Sequence, residues 1–280
     1  MLATPIVHDP FIFFIGGFGP ITGFGIAMMA AFGIAHFVAQ TVLEQRGDDA
    51  EIMNDVTFAA LIGTIIGGKV YFAINETMSG RPFFSALFDR AGFVYWGGFI
   101  GSVLLSWLVI RWRKQQFLRV ADGAAVGIAA GYAIGRTGCW AVGDDYGRPW
   151  DGPLAVAFPR GAPASTVANM NSEFHANLPA TLAPETVVSV YPTQLLEVAL
   201  GLVMFWVLWR LRRHAHGAGW LFGMYCVLAG VERFIVEFFR AKGDVVGPLT
   251  SAQWVALAVA AVGGLLITTR RATTTLAVAR

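Results

Sequence analysis

The segment ADGAAVGIAAGYAIGRTGC, residues 121–139, is a continuous apolar run that carries an arginine, Arg136, near its end. A helix that crosses a membrane needs about 20 mainly apolar residues, and this run has that length and composition. Its glycines Gly127, Gly131 and Gly135 recur every four residues, which places them on one helix face and lets a neighbouring backbone approach closely. The segment therefore predicts a membrane-spanning helix packed against other helices.

The composition of the whole chain indicates a membrane protein. Of its 280 residues, 56% are hydrophobic and only 14% are charged, whereas soluble domains average roughly half apolar and a quarter charged. The formal net charge of +2 is too small to indicate a nucleic-acid partner. The two cysteines, Cys139 and Cys226, belong to different apolar runs, so we expect no disulfide. The amino terminus lacks the basic region of a signal peptide, so the first apolar run is expected to remain as an anchor.

Six further runs are similar to the first in length and apolarity, which predicts an all-α, polytopic membrane helix bundle of about seven spans. The runs cover residues 21–43, 56–77, 93–110, 121–139, 191–211, 219–239 and 251–269. We expect one integral membrane domain over residues 1–280. Within it, residues 144–190 are expected to form an outer, periplasmic loop or small cap between spans four and five.

The distribution of basic residues predicts the orientation of these spans. Loops on the cytoplasmic side of a membrane protein carry an excess of lysine and arginine. With the carboxyl terminus inside, the inside loops hold eleven such residues and the outside loops hold six. The amino terminus is therefore expected outside. This topology places Arg136, the following GDDYGRP turn and the end of GVERFIVEFFR at the outer face.

Ionisable side chains within the spans are candidate functional residues, because they are costly in lipid and usually face a bundle interior or a water-filled path. Arg233 and Glu237 are four residues apart and hence neighbours on one helix face, where a structural ion pair is an equally good account. Glu197 lies in the fifth span. For Arg136, snorkelling to the membrane interface is the alternative to a functional role.

Two arginines from different spans at one depth would form a pocket for a phosphate, because guanidinium groups bind phosphate oxygens in a bidentate manner. Arg136 and Arg233 are such a pair, and the phosphates at that depth belong to lipid head groups. The sequence contains no serine nucleophile elbow, HExxH motif, Walker loop or paired-cysteine metal site. We therefore expect neither a metal nor an organic cofactor.

Several motifs, in order along nearly the whole chain, resemble those of the prolipoprotein diacylglyceryl transferase family. The stretch GRTGCWAVGDDYGRP is similar to the family signature, and the likeness continues in YWGGFIG, YPTQLLE and GWLFGMYCVLAGVERFIVEFFR, and more weakly in GGKVYF and LTSAQW. The resemblance implies a bacterial inner-membrane enzyme with its site toward the periplasmic face. Such enzymes transfer the diacylglyceryl group of phosphatidylglycerol to the lipobox cysteine of a prolipoprotein, forming a thioether and releasing glycerol 1-phosphate.

The resemblance also implies roles for individual residues. Arg136 and Arg233 would bind phosphate and neutralise charge on the leaving group, while Asp144 and Glu237 would orient these arginines. Tyr95 is a candidate for thiol deprotonation, with the field of the arginines alone as the alternative. The implied catalytic residues are Arg136, Arg233, Asp144 and Tyr95, and the implied substrate-binding residues are Lys69, Gly97, Gly98, Gly138, Cys139, Gly147, Gln194, Glu197 and Glu237. The expected partners are phosphatidylglycerol, lipobox-containing prolipoproteins and membrane lipid, with the protein acting as a monomer.

The chain departs from the family pattern at four positions. Trp96 stands where many members have histidine, Cys139 where asparagine is common, Phe24 at a tyrosine position and Tyr191 in place of histidine. These changes leave two alternatives open beside the transferase. One is a related protein that binds lipid without turnover, and the other is an enzyme that transfers diacylglyceryl to a different thiol or hydroxyl.

Overall fold

The computed structural model describes residues 6–14, 20–89, 92–240 and 245–271, and this part of the chain is mostly helical. Of the basic residues counted for the orientation, Arg90, Lys242 and Arg280 lie outside the described residues. The described helices are α1 (Gly23–Gln45), α2 (Ile52–Met78), α3 (Phe83–Leu87), α4 (Tyr95–Trp112), α5 (Phe117–Val142), α6 (Val167–Ser172), α7 (Thr193–Leu211), α8 (Trp220–Val236) and α9 (Ser251–Thr269).

Each of the seven apolar runs corresponds to one long helix, namely α1, α2, α4, α5, α7, α8 and α9. Among the described residues, α1, α2, α5, α7 and α9 are long and apolar enough to cross a membrane. This arrangement is consistent with the predicted polytopic helix bundle. The helix α5 extends beyond the predicted end at residue 139 and stops at Val142, where Gly143 adopts a left-handed conformation with φ of 69°.

Short strands accompany the helices, so the described fold is not purely helical. They are β1 (Ile6–Val7), β2 (Ile12–Phe14), β3 (Pro20–Thr22), β4 (Val156–Ala157), β5 (Ser189–Val190), β6 (Val245–Val246) and β7 (Leu249–Thr250). The strand β4 pairs in parallel with β1 and antiparallel with β5, whereas β2 with β3 and β6 with β7 form two-stranded ladders. Pairs this short are marginal on their own in water, so packing against other elements must support them.

The chain forms two compact units, and the first comprises residues 1–35 and 125–280. Glycines allow its helices to pack closely. In α5, a side chain at Gly131 would lie 2.9 Å from the carbonyl oxygen of Ala31, and Gly201 of α7 faces the ring of Tyr132 on α5. Gly223 of α8 and Gly263 of α9 meet backbone to backbone in the same way. The predicted packing role of such small residues is confirmed for Gly131.

Residues 144–190, expected as a loop or small cap, contain β4, α6 and β5 and pack around apolar side chains of their own. The buried core comprises Tyr146, Val156, Phe158, Met170, Phe174 and Val190. The rings of Tyr146 and Phe158 stack with their centroids 5.2 Å apart, and the hydroxyl of Tyr146 donates to the carbonyl oxygen of Pro163 at 2.9 Å. The segment that follows α5 is thus a folded element of the first unit.

The second unit comprises residues 36–124. Its central contact is a crossing of α2 and α4, in which Gly63 and Gly67 lie against Gly97 and Gly101 so closely that a methyl group on any of the four would meet backbone of the opposing helix. The predicted close packing at Gly63 and Gly67 is confirmed. A groove of about 290 Å³ runs along the apolar face of α4 and is lined only by apolar side chains, including Phe99, as expected for a surface that faces lipid.

Candidate functional site

Four charged side chains of the first unit form a closed ring of ion pairs. The guanidinium of Arg136 contacts Asp145 at 2.8 Å and Glu197 at 3.2 Å, and that of Arg240 contacts the other oxygen of Asp145 at 2.7 Å and Glu197 at 3.5 Å. Each carboxylate therefore bridges both arginines. Two members lie on helices, Arg136 on α5 and Glu197 in the first turns of α7. Asp145 lies on the turn after α5, and Arg240 follows the end of α8.

The backbone of the turn after α5 is fixed to the start of α7. The hydroxyl of Thr193 donates to the carbonyl oxygen of Asp145 at 2.8 Å, and the side-chain amide of Gln194 donates to that of Asp144 at 2.6 Å. Asp145 itself has φ of 53°, a left-handed conformation that aspartate tolerates better than most residues. This conformation, together with the two hydrogen bonds, directs the carboxylate of Asp145 toward the arginines.

Gly147 joins the same turn to the segment that follows α8. Its N–H donates to the carbonyl oxygen of Tyr191 at 2.8 Å, and the N–H of Arg148 donates to that of Phe239 at 2.9 Å. A methyl group at Gly147 would lie 2.7 Å from the Cβ of Tyr191 and 2.8 Å from the Cγ2 of Thr193, and closer still to the Phe239 carbonyl oxygen. Only glycine fits this crossing. The crossing holds Arg240 next to the turn that carries Asp145.

Burial decides how strongly these charges interact. The side chain of Glu197 is fully buried and that of Arg240 is 9% exposed, whereas that of Asp145 is 35% exposed. Burial alone raises the pKa of Asp145, but the charges of Arg240 and Arg136 outweigh burial and lower it to about 2. Burial alone lowers the pKa of Arg240, but the carboxylates of Asp145 and Glu197 outweigh that effect and raise it. The two groups outside the helices, Asp145 and Arg240, and the two within them, Arg136 and Glu197, thus form one low-dielectric network.

A buried hydrogen bond lies beside the ring. The hydroxyl of Tyr132, on α5, donates to the carboxylate of Glu232, on α8, at 2.8 Å. The guanidinium of Arg136 sits over the ring of Tyr132 with 5.4 Å to its centroid, a cation–π contact. Glu232 is buried. Tyr132 is thus a further partner of Arg136 beside the two carboxylates of the ring.

Arg233 and Glu237 form a separate ion pair at 2.6 Å, which confirms the contact expected from their spacing. The carboxylate side chain is 5% exposed and that of Arg233 is 32% exposed. The side chain of Arg233 is therefore partly accessible. Its predicted role in binding phosphate stays a prediction.

The structure corrects one predicted contact of Arg136, while the predicted functions of the residues around it stay predictions. Among the described residues, the ion pair of Arg136 in the turn is with Asp145, not with Asp144 as the resemblance suggested. The reason is the left-handed backbone at Asp145, which turns this side chain rather than its neighbour toward the arginine. Asp144 instead accepts from the thiol of Cys139, and its Oδ1 is buried without a hydrogen-bond partner in the described structure. Gly138 packs against Ala27.

The pKa of Asp144 is raised to about 6. Burial is the largest cause and outweighs the hydrogen bond from Cys139. The negative charge of Asp145 raises the value further, while Arg136 and Arg240 lower it. Asp144 is thus a carboxylate that changes protonation close to neutral pH, next to a pair of guanidinium groups.

The remaining predicted site residues belong to the second unit. Tyr95 is exposed and its ring stacks on that of Phe99. Lys69 donates to the carbonyl oxygen of Asp89 at 2.6 Å. Gly97 packs against Gly67, and Gly98 packs against the Phe93 ring. In the described structure, the two glycines therefore support the crossing of α2 and α4, and substrate contacts by any of these residues stay predictions. Trp96, for which the resemblance implies histidine in many members, is exposed, and its ring lies edge-on to that of Tyr95.

Sequence reasoning missed Arg240 as a site residue, although a signal for it existed. Arg233, Glu237 and Arg240 recur at intervals of four and three residues, the spacing of one helix face. In the distribution of basic residues, Arg240 contributes only as a loop charge. For Asp145 the outcome is different: the sequence offers both Asp144 and Asp145 as the nearest carboxylates to Arg136, nothing in two adjacent aspartates tells which one turns toward the arginine, and only the resemblance selects Asp144.

A metal ion is a poor fit for the nearby cluster of potential ligands. One ligand atom each of Cys139, Asp144 and Asp145 lie within 4.8 Å of one another. Both oxygens of Asp145 already contact guanidinium groups, and the two positive charges disfavour a cation at this place. The arrangement is suited to an anion.

Comparison with known proteins identifies one family. The family model described as prolipoprotein diacylglyceryl transferase matches residues 10–269. A phosphatidylglycerol–prolipoprotein diacylglyceryl transferase of Idiomarina loihiensis is 29% identical over 269 residues, which cover 92% of each chain. Proteins of the same name from Burkholderia mallei and Burkholderia thailandensis are each 28% identical over 285 residues, covering 94% of this chain and 95% of theirs.

Proposed function

The chain belongs to the prolipoprotein diacylglyceryl transferase family and is a transferase, and from this premise we propose its reaction. The enzyme transfers the diacylglyceryl group of phosphatidylglycerol to the thiol of a lipobox cysteine in a prolipoprotein. A thioether forms and glycerol 1-phosphate is released. The relatives that carry this activity in their names extend over nearly the whole chain, which supports assigning the complete reaction to it.

The observation that carries the proposal is the ring of Arg136, Asp145, Arg240 and Glu197. Two guanidinium groups, that of Arg136 on α5 and that of Arg240 after α8, contact the same two carboxylates, and one of these, Glu197, is fully buried. Guanidinium groups in this arrangement are suited to the anionic oxygens of a phosphodiester. The ring thus supplies a site for the phosphate of the lipid donor, and Arg240 joins Arg136 as its second cation.

In the proposed reaction the thiolate sulfur attacks the glyceryl carbon that bears the phosphate ester. The carbon–oxygen bond breaks as the carbon–sulfur bond forms, and glycerol 1-phosphate leaves with the electron pair on its oxygen. Negative charge grows on the leaving oxygens, where Arg136 and Arg240 stabilise it without reorganisation. The same positive field lowers the pKa of the incoming cysteine and increases the fraction of reactive thiolate.

Asp144 is the proposed acceptor of the thiol proton. Its carboxylate already accepts a hydrogen bond from a thiol, that of Cys139, and its other oxygen is unpartnered in the described structure. With a pKa raised to about 6, it is deprotonated at neutral pH and still a base of useful strength. This assignment replaces the orienting role that the resemblance suggested for Asp144, and gives an alternative to Tyr95.

Residues around the ring are proposed to position the substrate. Arg233, oriented by Glu237, adds a partly exposed positive charge on α8, the helix that precedes Arg240. Gln194 and Gly147 fix the turn that presents Asp144 and Asp145. The contributions of Tyr95, Lys69, Gly97, Gly98, Gly138 and Cys139 follow from the resemblance alone.

The setting of the site is also part of the proposal. Seven spans, with α4 and α8 added to the five described helices that are long and apolar enough to cross a membrane, put the two termini on opposite sides, and the distribution of basic residues favours an amino terminus outside and a carboxyl terminus inside. The ring then lies toward the periplasmic face of the bacterial inner membrane, where prolipoproteins arrive. The protein is proposed to act as a single integral membrane domain, as a monomer and without cofactor.

Mass spectrometry of a lipobox peptide tests the proposed function. The peptide is incubated with purified protein and phosphatidylglycerol, beside a peptide with serine in place of cysteine and beside Arg136→Ala. A diacylglyceryl mass gain only for wild-type protein with the cysteine peptide is expected. Release of glycerol 1-phosphate without a modified peptide would instead assign a different acceptor. Retained lipid binding without consumption of phosphatidylglycerol would assign a lipid-binding protein.

A further inference from the structure

We propose that Asp145 is an internal counter-ion that occupies the place of the lipid phosphate, and that phosphatidylglycerol displaces its carboxylate from Arg136 and Arg240 on binding. The inference rests on the proposed function, because it names how the donor lipid enters that site. It makes Asp145 a determinant of donor affinity rather than a fixed support of the arginines.

The geometry of Asp145 is that of a bound anion. One carboxylate oxygen contacts Arg136 at 2.8 Å and the other contacts Arg240 at 2.7 Å. A phosphodiester likewise offers two equivalent anionic oxygens, which two guanidinium groups bind in the same bridging manner. The carboxylate thus makes the contacts that a phosphate would make at this place.

The two carboxylates of the ring differ in how readily they can leave. Glu197 is fully buried, within the regular helix α7, whereas Asp145 is 35% exposed and lies on the turn after α5. Its backbone is held at its own carbonyl oxygen by Thr193, so a change of side-chain rotamer is enough to move the carboxylate into solvent. A ligand can therefore replace Asp145 but not Glu197.

The charges of the ring match a phosphodiester only after this displacement. With Asp145 in place, two arginines face two carboxylates and the ring is neutral. Without it, the ring contacts of Arg136 and Arg240 are those with Glu197, so the ring itself carries one positive charge in excess. A phosphodiester carries one negative charge and restores neutrality, as a buried ionic network requires.

Binding of dioleoylphosphatidylglycerol to the purified full chain, in nanodiscs of phosphatidylcholine, tests this inference. The near-isosteric Asp145→Asn removes the competing charge and is expected to bind the lipid at least tenfold more tightly than wild type, a difference of about 1.4 kcal/mol. Asp145→Glu retains the charge and is expected within threefold of wild type. Asp151→Asn is the matched control, because Asp151 is an exposed aspartate on the same segment, and its affinity is expected to be unchanged.

Thermal stability distinguishes this inference from a merely structural role of Asp145, because only the inference predicts that the lipid restores the stability of Asp145→Asn. Without lipid, Asp145→Asn is expected to have a lower melting temperature than wild type, because the two arginines of its ring share one carboxylate. Saturating phosphatidylglycerol is expected to remove most of this difference in melting temperature. A difference in melting temperature of the same size with and without the lipid would overturn the inference. So would unchanged or weaker lipid binding by Asp145→Asn.

Inorganic phosphate, tested at millimolar concentration, separates the two sources of a phosphate ligand. Tighter binding of phosphatidylglycerol by Asp145→Asn supports the inference, whereas a gain for inorganic phosphate alone contradicts a lipid ligand. These binding measurements do not depend on turnover. If the wild-type protein binds the lipid but modifies no peptide, the proposed function fails while the role of Asp145 is still tested.

Discussion

Arg240 provides a direct test of the ring, because the resemblance assigned it no role. Replacing it by glutamine removes the contacts at 2.7 Å to Asp145 and 3.5 Å to Glu197, and leaves both carboxylates to Arg136. Loss of one electrostatic donor to a developing negative charge lowers kcat by about 10²–10³-fold, or about 2.7–4 kcal/mol. We expect a loss of transfer in that range for Arg240→Gln.

The same substitution also affects folding, and the size of that effect follows from burial. Breaking a buried ion pair by removing one partner costs about 3–5 kcal/mol, and here Arg136 still compensates Glu197, so a loss near the lower end, about 3 kcal/mol, is expected. The assay is the initial rate of peptide modification at saturating phosphatidylglycerol, normalised to the monodisperse, folded fraction.

A matched control separates the ring from a general effect of losing an arginine. Arg160, in the same unit, pairs with Asp9 but is 72% exposed, so its ion pair contributes little. Arg160→Gln is expected to retain the wild-type rate within twofold. If folded Arg240→Gln keeps more than a tenth of the wild-type rate, the assignment of Arg240 as the second cation of the phosphate site is refuted.

Three further outcomes are expected. Gly147→Ala places a methyl group 2.7 Å from the Cβ of Tyr191 and should lower the free energy of unfolding by about 1–3 kcal/mol in denaturation assays. The control Gly33→Ala, in open space on α1, should not destabilise the protein. Equal stability of the two variants would contradict the close crossing at Gly147. The rate of transfer by wild type should fall as pH drops below about 6, because protonation of Asp144 removes the proposed base. Asp144→Asn should be slow at every pH and should not show this loss of rate at low pH. A pH–rate profile identical to that of wild type would exclude Asp144 as the base. Tyr132→Phe removes the 2.8 Å hydrogen bond to Glu232 and should lower the free energy of unfolding by about 1–3 kcal/mol. A melting curve identical to that of wild type would argue against this hydrogen bond.

The helices were predictable from sequence because apolarity over about 20 residues is a local property. The last span matches α9 at both ends, and the ion pair of Arg233 with Glu237 follows from helix spacing. The end of α5 was placed too early, since apolarity weakens at Arg136 while the helix continues to the left-handed Gly143.

The ring itself was only partly predictable, because its members meet through tertiary packing. Arg136 and Glu197 were identified as ionisable residues in spans, yet their contact depends on the packing of α7 against α5 at Gly201. The choice of Asp145 over Asp144 depends on one backbone conformation in a turn. The folded core of residues 144–190 likewise arises from contacts between side chains far apart in sequence, such as Tyr146 with Phe174.

The most direct test of the central claim measures both products of one reaction. Purified protein is mixed with phosphatidylglycerol and a lipobox peptide, and glycerol 1-phosphate is quantified beside the diacylglyceryl-modified peptide. The proposed reaction predicts one glycerol 1-phosphate per modified peptide, and neither product when serine replaces the peptide cysteine. Glycerol 1-phosphate released in excess of modified peptide, or no product from folded protein that binds the lipid, would contradict the assignment.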